Sequence, residues 1–110
     1  MPKHSKAFIL QFITKGHNPL EDFDALIAIE EELDNALSQN CCRGYVDGHD
    51  IDGGIMNIYI FFPSWKNGEE FLLLYLRHRS WSSQVVVAER RSDTQYKIIW
   101  PADHVGAFSL

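Results

Sequence analysis

The sequence feature that most constrains the fold is Ile55–Phe62, an eight-residue run that reads IMNIYIFF. β-Branched and aromatic residues dominate this run, and Pro63 ends it, so it predicts a largely buried β-strand. A chain of 110 residues, 45% of them hydrophobic, can build one core around such a strand without a metal or a disulfide. The sequence therefore predicts a single domain over residues 1–110.

Periodicity and capping signals place the other elements around this strand. The stretch Asn18-Pro19-Leu20-Glu21 combines an N-cap, a proline at the first helical position and a glutamate at the third. The predicted elements are a strand at Lys6–Thr14, a helix from this cap to about Ser38, a short strand at Cys41–Val46, the strand Ile55–Phe62, a helix that starts near Ser64 or Asn67, and strands at Gln84–Glu89 and Tyr96–Trp100.

The predicted order is β-α-β-β-α-β-β, and the fold class is α+β. Two helices on one face of a mostly antiparallel sheet give the ferredoxin-like split βαβ plan, here with an extra terminal strand. Apolar residues at helical spacing predict which side of each helix is buried. They are Leu20, Phe23, Leu26, Ile27, Leu33 and Leu37 in the first helix, and Phe71, Leu72, Leu74, Tyr75 and His78 in the second.

Several predicted strands are apolar on both sides, whereas a sheet covered on one side should alternate apolar and polar residues. The side chains expected on the face away from the helices are Ile9, Ile13, Tyr59, Phe61, Tyr96 and Ile98. Scattered surface hydrophobes are one interpretation. A face buried against a second subunit is the other, and it predicts a homodimer formed through the sheet.

Charge and cysteine content exclude several classes of protein. The formal net charge is −5, which argues against general affinity for nucleic acid, because such affinity needs clustered basic residues. No signal-peptide pattern or membrane-length apolar run is present, so no membrane partner is expected. The only cysteines are the neighbours Cys41 and Cys42, which we interpret as reduced thiols. Together these features predict a cytoplasmic protein.

Residues 47–54 read DGHDIDGG and join two predicted strands. Asp-Gly and Gly-Gly pairs favour a turn in which Asp47 or Asp50 caps backbone N–H groups and Gly48 or Gly54 has a positive φ. A calcium loop is excluded because the acids do not have EF-hand spacing. His49 has too few neighbouring ligands for zinc, so the sequence predicts no tightly bound metal and no cofactor.

The stretch from Tyr45 to Tyr59 resembles a group of small bacterial α+β proteins. In that group a D-G-H-D-x-G-G-G-x-M-N-I-aromatic hairpin links the second and third strands, and Asp52 stands here where the group has glycine. The residues that match are Asp47, Gly48, His49, Asp50, Gly53, Gly54, Met56, Asn57, Ile58 and Tyr59. The resemblance implies an α+β fold and a bacterial origin, and it implies no activity.

Two functions of different classes fit the sequence. No Lys or Arg occurs between Lys15 and Arg43, where seven acids fall, and this acidic helix predicts a non-catalytic binding protein for a basic partner, such as an immunity protein or a scaffold. A solvated helix face is the plainer interpretation. The alternative is a small-ligand site or an enzyme built on Asp47, His49 and Asp50. The candidate binding residues are Asp47, His49, Asp50, Asp52, Asn57, Glu30, Glu31 and Asp34, and no catalytic residue is assigned.

Overall fold

The computed structural model describes residues 6–13, 19–39, 44–52, 55–63, 68–79, 81, 85–92 and 94–101, and of residues 13, 19–23 and 52 the backbone alone. These residues form five strands and two helices in the predicted order. The elements are β1 (Lys6–Ile13), α1 (Pro19–Ser38), β2 (Tyr45–Asp52), β3 (Ile55–Phe62), α2 (Gly68–Arg77), β4 (Val85–Arg90) and β5 (Tyr96–Trp100).

The five strands form one sheet in the order β2-β3-β1-β4-β5, and every neighbouring pair is antiparallel. β1 is the central strand, where Leu10 lies opposite Ile58 of β3 and Val87 of β4. The register shifts once between β2 and β3, at Val46/Gly48, and once between β4 and β5, at Val87/Ala88. The protein is therefore an α+β fold with two helices and a five-stranded antiparallel sheet, as the sequence predicts at this level.

β2 corrects the prediction of a turn over residues 47–54. Residues 45–52 are a continuous strand, and only residues 53 and 54, which lie outside the described part, separate it from β3. The bulge at Val46/Gly48 absorbs one extra residue, and Gly48 there has a φ of 157°, so the predicted positive φ is confirmed at this glycine. Pairing with the strongly strand-forming β3 overrides the turn preference of the Asp and Gly residues.

One hydrophobic cluster contains buried side chains from one side of the sheet and leucines of both helices. We call this side of the sheet the first face. Its members in the cluster are Phe8, Leu10, Phe12, Met56, Ile58, Ile60, Phe62, Val85 and Val87, and the helices add Leu26, Leu33, Leu37, Leu72 and Leu76. The rings of Phe8 and Phe62 meet edge to face, with centroids 5.6 Å apart.

Each helix buries part of the stripe predicted for it, and in α2 the predicted residues Phe71, Leu72 and Tyr75 belong to the core or pack against it. Leu26, Leu33 and Leu37 are buried, whereas the side chains of Leu20 and Phe23 lie outside the described residues. In α2 the buried pair is Leu72 and Leu76, while Leu74 is 57% exposed and His78 is exposed. Leu74 is two positions from each buried leucine, which is about 200° around the helix axis, so the predicted inward orientation is wrong.

The opposite side of the sheet, which we call the second face, follows from the register and the alternation of strand side chains. It carries Tyr45, Asp50, Asn57, Tyr59, Phe61, Ala7, Ile9, Gln11, Val86, Ala88, Arg90, Tyr96 and Ile98. Ile9 is only 2% exposed and Ala88 is fully buried, whereas Tyr59, Phe61, Tyr96 and Ile98 are half-buried. This face is thus apolar at its centre, and part of that centre is already covered within one copy of the chain.

Candidate functional site

β2 carries most of the residues that the sequence singles out, and it separates them. Consecutive side chains of a strand point to opposite sides, so His49 and Asp50 cannot share one site. His49 contacts α1, whereas Asp50 lies on the second face. Asp47 is at the bulge, and the side chain of Asp52 lies outside the described residues. The structure therefore does not bring the three side chains Asp47, His49 and Asp50 together.

Two acids of α1 hold β2 against the helix. Nδ1 of His49 lies 2.6 Å from Oε2 of Glu30. One turn further along α1, Oδ1 of Asp34 accepts a hydrogen bond from the backbone N–H of Val46 at 3.2 Å. Both acids were predicted as binding residues, and both have a partner within the chain. Their presence in a run of acids therefore has a structural reason as well as an electrostatic one.

Glu32 in the same acidic run joins the two helices. Its Oε1 accepts a hydrogen bond from the Tyr75 hydroxyl at 2.8 Å and one from Nη1 of Arg79 at 2.7 Å. The Arg79 guanidinium also lies 4.7 Å from the centre of the Tyr75 ring. The hydrogen bond from Arg79 is the main reason why the pKa of Glu32 is lowered, and burial together with Glu32 raises the pKa of Tyr75.

A polar row crosses the second face at the end of β2. Asn57, 5% exposed, donates from Nδ2 to Oδ1 of Asp50 at 2.9 Å and accepts from Nε2 of Gln11 at 3.2 Å. The Tyr59 hydroxyl donates to Oδ2 of Asp50 at 2.6 Å. The side chain of Asn57 therefore links β2, β3 and β1. The prediction that Asp47 or Asp50 caps backbone N–H groups is wrong for the described residues, because both carboxylate oxygens of Asp50 accept from side chains and Asp47 makes no hydrogen bond there.

The environment of Tyr59 favours its neutral form. Burial raises the pKa of Tyr59 to about 12, with further contributions from the hydrogen bond and negative charge of Asp50 and from Tyr96. At neutral pH the hydroxyl is therefore a hydrogen-bond donor to Asp50 and a poor base or nucleophile. This arrangement stabilises the sheet, and we identify no proton-transfer pair in it.

An acidic groove lies between α1 and β2. Its volume is about 180 Å³, and its lining residues are Glu30, Glu31, Asp34, Val46, Asp47 and Gly48. Four of these six described residues carry carboxylates, and none of the six is basic. The structure thus brings together Glu30, Glu31 and Asp34 of the predicted acidic helix with Asp47 of the predicted hairpin.

A second groove of about 250 Å³ lies on the second face, and we call it the second-face groove. Its lining residues are Ala7, Phe8, Ile9, Asp47, Tyr59, Ile60, Phe61, Arg90 and Tyr96. Ile9, Tyr59, Phe61 and Tyr96 were predicted on this face from the sequence, whereas Arg90 was not. The alternation of β4 is the signal that could have found it, because Arg90 follows Val86 and Ala88 at a spacing of two.

Glu89 is a buried carboxylate that the sequence analysis does not single out. It is 2% exposed, lies opposite Phe8 on the first face, and has Nζ of Lys6 at 2.6 Å from its Oε2. Nε of Arg91 lies 2.7 Å from Oε1 without hydrogen-bond geometry, so we interpret that contact as Coulombic. Two cations therefore neutralise this acid, and we assign it a structural role.

Among the described residues, no three His, Cys, Asp or Glu side chains are grouped so that they could hold a metal ion. Cys41, Cys42 and His104 lie outside the described residues. No described helix is long and apolar enough to cross a membrane. Comparison of the chain with protein-family models, with curated proteins and with solved structures finds no match.

Proposed function

We propose that the protein is a non-catalytic binding protein that receives a basic side chain of a protein partner in the acidic groove. The observation that carries this proposal is the set of four carboxylates around one opening between α1 and β2, with no basic residue among the lining residues that the structure describes. A cationic side chain that enters the groove exchanges part of its hydration for several nearby negative charges. The partner is a basic protein, bound in the manner of a toxin by its immunity protein or of a client by its scaffold.

The size of the groove supports a side chain as the occupant. Pockets for drug-sized ligands enclose roughly 300–1,000 Å³, whereas this groove encloses about 180 Å³. Glu31 and Asp47 make no hydrogen bond or ion pair with another residue in the part of the chain that the structure describes, and both are exposed. Their charges are therefore available to an incoming Lys or Arg, while Glu30 and Asp34 keep the walls of the groove in place through His49 and Val46.

The charge pattern around the groove supports fast encounter with a cation. α1 has no basic residue in its last turn, although the helix dipole would favour one there. The five residues Arg77, Arg79, Arg90, Arg91 and Lys97 instead belong to the last third of the sequence. Arg79 pairs with Glu32 of α1, but no basic residue lies among the described lining of the acidic groove. The carboxylates of the groove therefore attract a basic partner towards α1, and the attraction weakens as salt is added.

The alternative function, a small-ligand site or an enzyme built on Asp47, His49 and Asp50, has less support. His49 and Asp50 project from opposite sides of β2, and each already has a partner within the chain. A general acid or base must reach the same substrate as its co-catalyst, within hydrogen-bond distance. The pair therefore lacks the geometry that this chemistry needs.

We also propose that the chain follows the ferredoxin-like split βαβ plan with β5 as an added edge strand. Support comes from the neighbours β2, β3, β1 and β4 in that order, each antiparallel to the next, and from the leucines of α1 and α2 that share one cluster. A crystal structure with the two helices on opposite faces of the sheet would contradict it.

A lysine-rich peptide tests the acidic groove directly. We would titrate an acetylated oligolysine into the protein at low ionic strength and follow the amide signals of α1 and β2 by NMR. Glu31→Lys reverses one charge in the groove, and Glu70→Lys makes the same change on the exposed side of α2. We expect Glu31→Lys to weaken binding about tenfold, which is about 1.4 kcal/mol, and Glu70→Lys to have a much smaller effect. Equal weakening in both variants would show attraction to net charge alone and would overturn the proposal.

A further inference from the structure

We propose that two copies of the chain form a dimer through the second face, with Tyr45 of each copy seated in the second-face groove of the other. This inference goes beyond the proposed function, because it concerns a different partner and a groove that shares only Asp47 with the acidic groove among the described residues. The observations that carry it are an exposed aromatic ring beside a groove, a matching separation of charge, and an area close to that of a specific interface.

Tyr45 and the second-face groove lie at different positions along one line of residues that crosses the strands of the sheet. Across the strands, the residues at one level are Tyr45, Phe61, Ala7, Arg90 and Tyr96 in that order. Tyr45 stands on the edge strand β2 and is 44% exposed, with its ring 5.6 Å from that of Phe61. The second-face groove occupies the middle and far part of this line.

A two-fold axis parallel to the strands reverses this line in the facing copy. β2 of one copy then lies over β4 or β5 of the other, and the Tyr45 ring reaches the groove beside Arg90. A tyrosine ring over a guanidinium is an attractive pair, and the groove walls Phe61 and Tyr96 supply aromatic contact. Because the same contact forms twice, one self-complementary patch is enough to close the dimer.

The charges on the second face favour the same arrangement. Asp47 and Asp50 lie on the β2 half, whereas Arg90 lies on the β4 half. Reversal by the axis places the acidic half of one copy over the basic half of the other, so unlike charges meet. The acidic stretch of α1 has no such complement, and two copies that met through their helices would bring like charges together.

The area of the second face is close to what a specific dimer requires. The five strands hold eight, eight, eight, six and five residues. Spaced about 4.8 Å apart, at about 3.4 Å per residue, they cover roughly 570 Å² on each copy. The total of roughly 1,100 Å² falls just below the range of standard specific interfaces and corresponds to a weak dimer. Ile9 and Ala88 contribute little to this area because they are already buried, so the contact depends on the half-buried rim of Tyr59, Phe61, Tyr96 and Ile98 and on Tyr45.

Sedimentation velocity from about 5 to about 200 µM, a range that brackets a micromolar affinity, tests the dimer at physiological ionic strength. We expect the native chain to sediment as a dimer at the upper end of this range. Tyr45→Ser removes the ring that enters the groove, and Ala7→Trp fills the groove from below, so both should raise the dissociation constant at least about tenfold. Leu74→Ser is the matched control, because Leu74 is also a large exposed side chain but lies on α2.

Exchanging the charges of Arg90 and Asp47 tests how the two copies are oriented in the dimer. Arg90→Asp alone should weaken the dimer, and the combination of Arg90→Asp with Asp47→Arg should restore most of the loss. Glu31→Lys should leave the dimer intact, so that failure of the dimer and failure of the acidic groove remain distinguishable. A monomer at about 200 µM, or a dimer that Tyr45→Ser and Ala7→Trp leave unchanged in folded protein, would overturn the proposal.

Discussion

Both faces of the sheet bury apolar side chains at their centre, but different groups lie around these side chains on the two faces. On the first face, buried side chains of β1, β3 and β4 belong to one cluster with the leucines of α1 and α2. On the second face, Ile9 and Ala88 are buried at the centre, but a row of polar groups crosses the sheet beside them, from Gln11 through Asn57 to Asp50 and Tyr59.

The two faces therefore contribute differently to the stability of the fold and to the alignment of its strands. Apolar contacts on the first face stabilise the fold and fix which side of each strand is buried. They distinguish poorly between alignments that differ by two residues, because alternate side chains on this face are similar in size and polarity. Hydrogen bonds on the second face are directional, and a shift of β2 by one residue would take Asp50 away from Asn57 and leave a buried amide without its acceptor. We infer that the first face supplies most of the stability and the second face fixes the alignment of β2 with β3.

The largest expected effect compares two neighbours on β1. Leu10 is fully buried on the first face, and Ile9 is 2% exposed on the second. Leu10→Ala should lower the free energy of unfolding by about 3–5 kcal/mol, because both lost contacts and a remaining cavity contribute. Ile9→Ala should lower it by about 2 kcal/mol, at the lower end of such truncations, because the second-face groove lies beside this side chain and water can enter the space.

Urea unfolding monitored by circular dichroism measures both variants, and Leu74→Ala on the exposed side of α2 serves as the control. Equal losses for Leu10→Ala and Ile9→Ala would mean that the second face is as tightly enclosed as the first. The comparison between the faces would then be wrong. Measurement at several protein concentrations also removes any contribution from self-association.

The next effect concerns Glu89, the one charged side chain among the buried residues that the structure describes. Glu89→Gln keeps the shape but removes the charge that neutralises Lys6 and Arg91. Breaking a fully buried pair costs about 3–5 kcal/mol, but both cations are partly exposed and can turn to water. We therefore expect a loss of about 1–3 kcal/mol, measured by thermal and urea unfolding.

Glu70→Gln provides the comparison for Glu89→Gln, because Glu70 is exposed on α2. It should change stability by less than about 0.5 kcal/mol. If Glu89→Gln were as mild as this control, the carboxylate would contribute nothing beyond its volume. The first face would then tolerate a neutral polar group at this position.

Most of the elements could be predicted from the sequence because their signals are local. The run Ile55–Phe62 and the helix start at Pro19 depend on residues that are adjacent in the chain. β2 was predicted too short because Asp and Gly favour turns, and its extension depends on pairing with β3, which is a tertiary contact. Leu74 and His78 of α2 were misplaced because the unbroken apolar run at positions 71–76 fits more than one helical orientation.

The residues of the candidate site could be predicted from the sequence, but their interaction partners could not. Glu30, Glu31 and Asp34 were identified from charge alone, and Asn57 from its position as the polar residue of an apolar strand. The partners of the acids could not be predicted, because His49 and Arg79 are 19 and 47 residues away from Glu30 and Glu32 in sequence. The separation of His49 from Asp50 follows at once from strand alternation, but only after residues 45–52 are recognised as a strand.

A smaller effect on stability, with a clear titration signature, is expected at Asp50. Asp50→Asn should cost about 1 kcal/mol, because it weakens two hydrogen bonds at a partly exposed position. It should also lower the pKa of Tyr59 from about 12 towards its ordinary value of 10, since the hydrogen bond and the negative charge of Asp50 both raise it. Burial, the largest cause, remains, so the pKa should stay above 10 in the variant.

The pH dependence has a defined sign. The pKa of Tyr59 is higher in the folded chain than in the unfolded chain, so its contribution to stability is complete below pH 10 and is lost as the pH rises through about 12. The absorbance of tyrosinate is measured against pH for the native chain and for Tyr59→Phe. The step that is missing in Tyr59→Phe is the deprotonation of Tyr59. An unchanged pKa of Tyr59 in Asp50→Asn would show that the polar row does not act on this hydroxyl.

The smallest effect is expected for His49, which points from β2 to the other side. His49→Gln removes the contact with Glu30, but both side chains keep access to water, and such pairs contribute roughly 0.2–1 kcal/mol. A double-mutant cycle with Glu30→Gln isolates the pairwise term, which should lie within the same range and fall with added salt. A coupling above about 2 kcal/mol would mean that α1 and β2 are held together mainly by this pair. The ion pair between His49 and Glu30 would then hold β2 against α1 as strongly as the hydrogen bonds of Asp50 hold it against β3. The alignment of β2 would therefore depend on its contact with the helix as much as on the polar row.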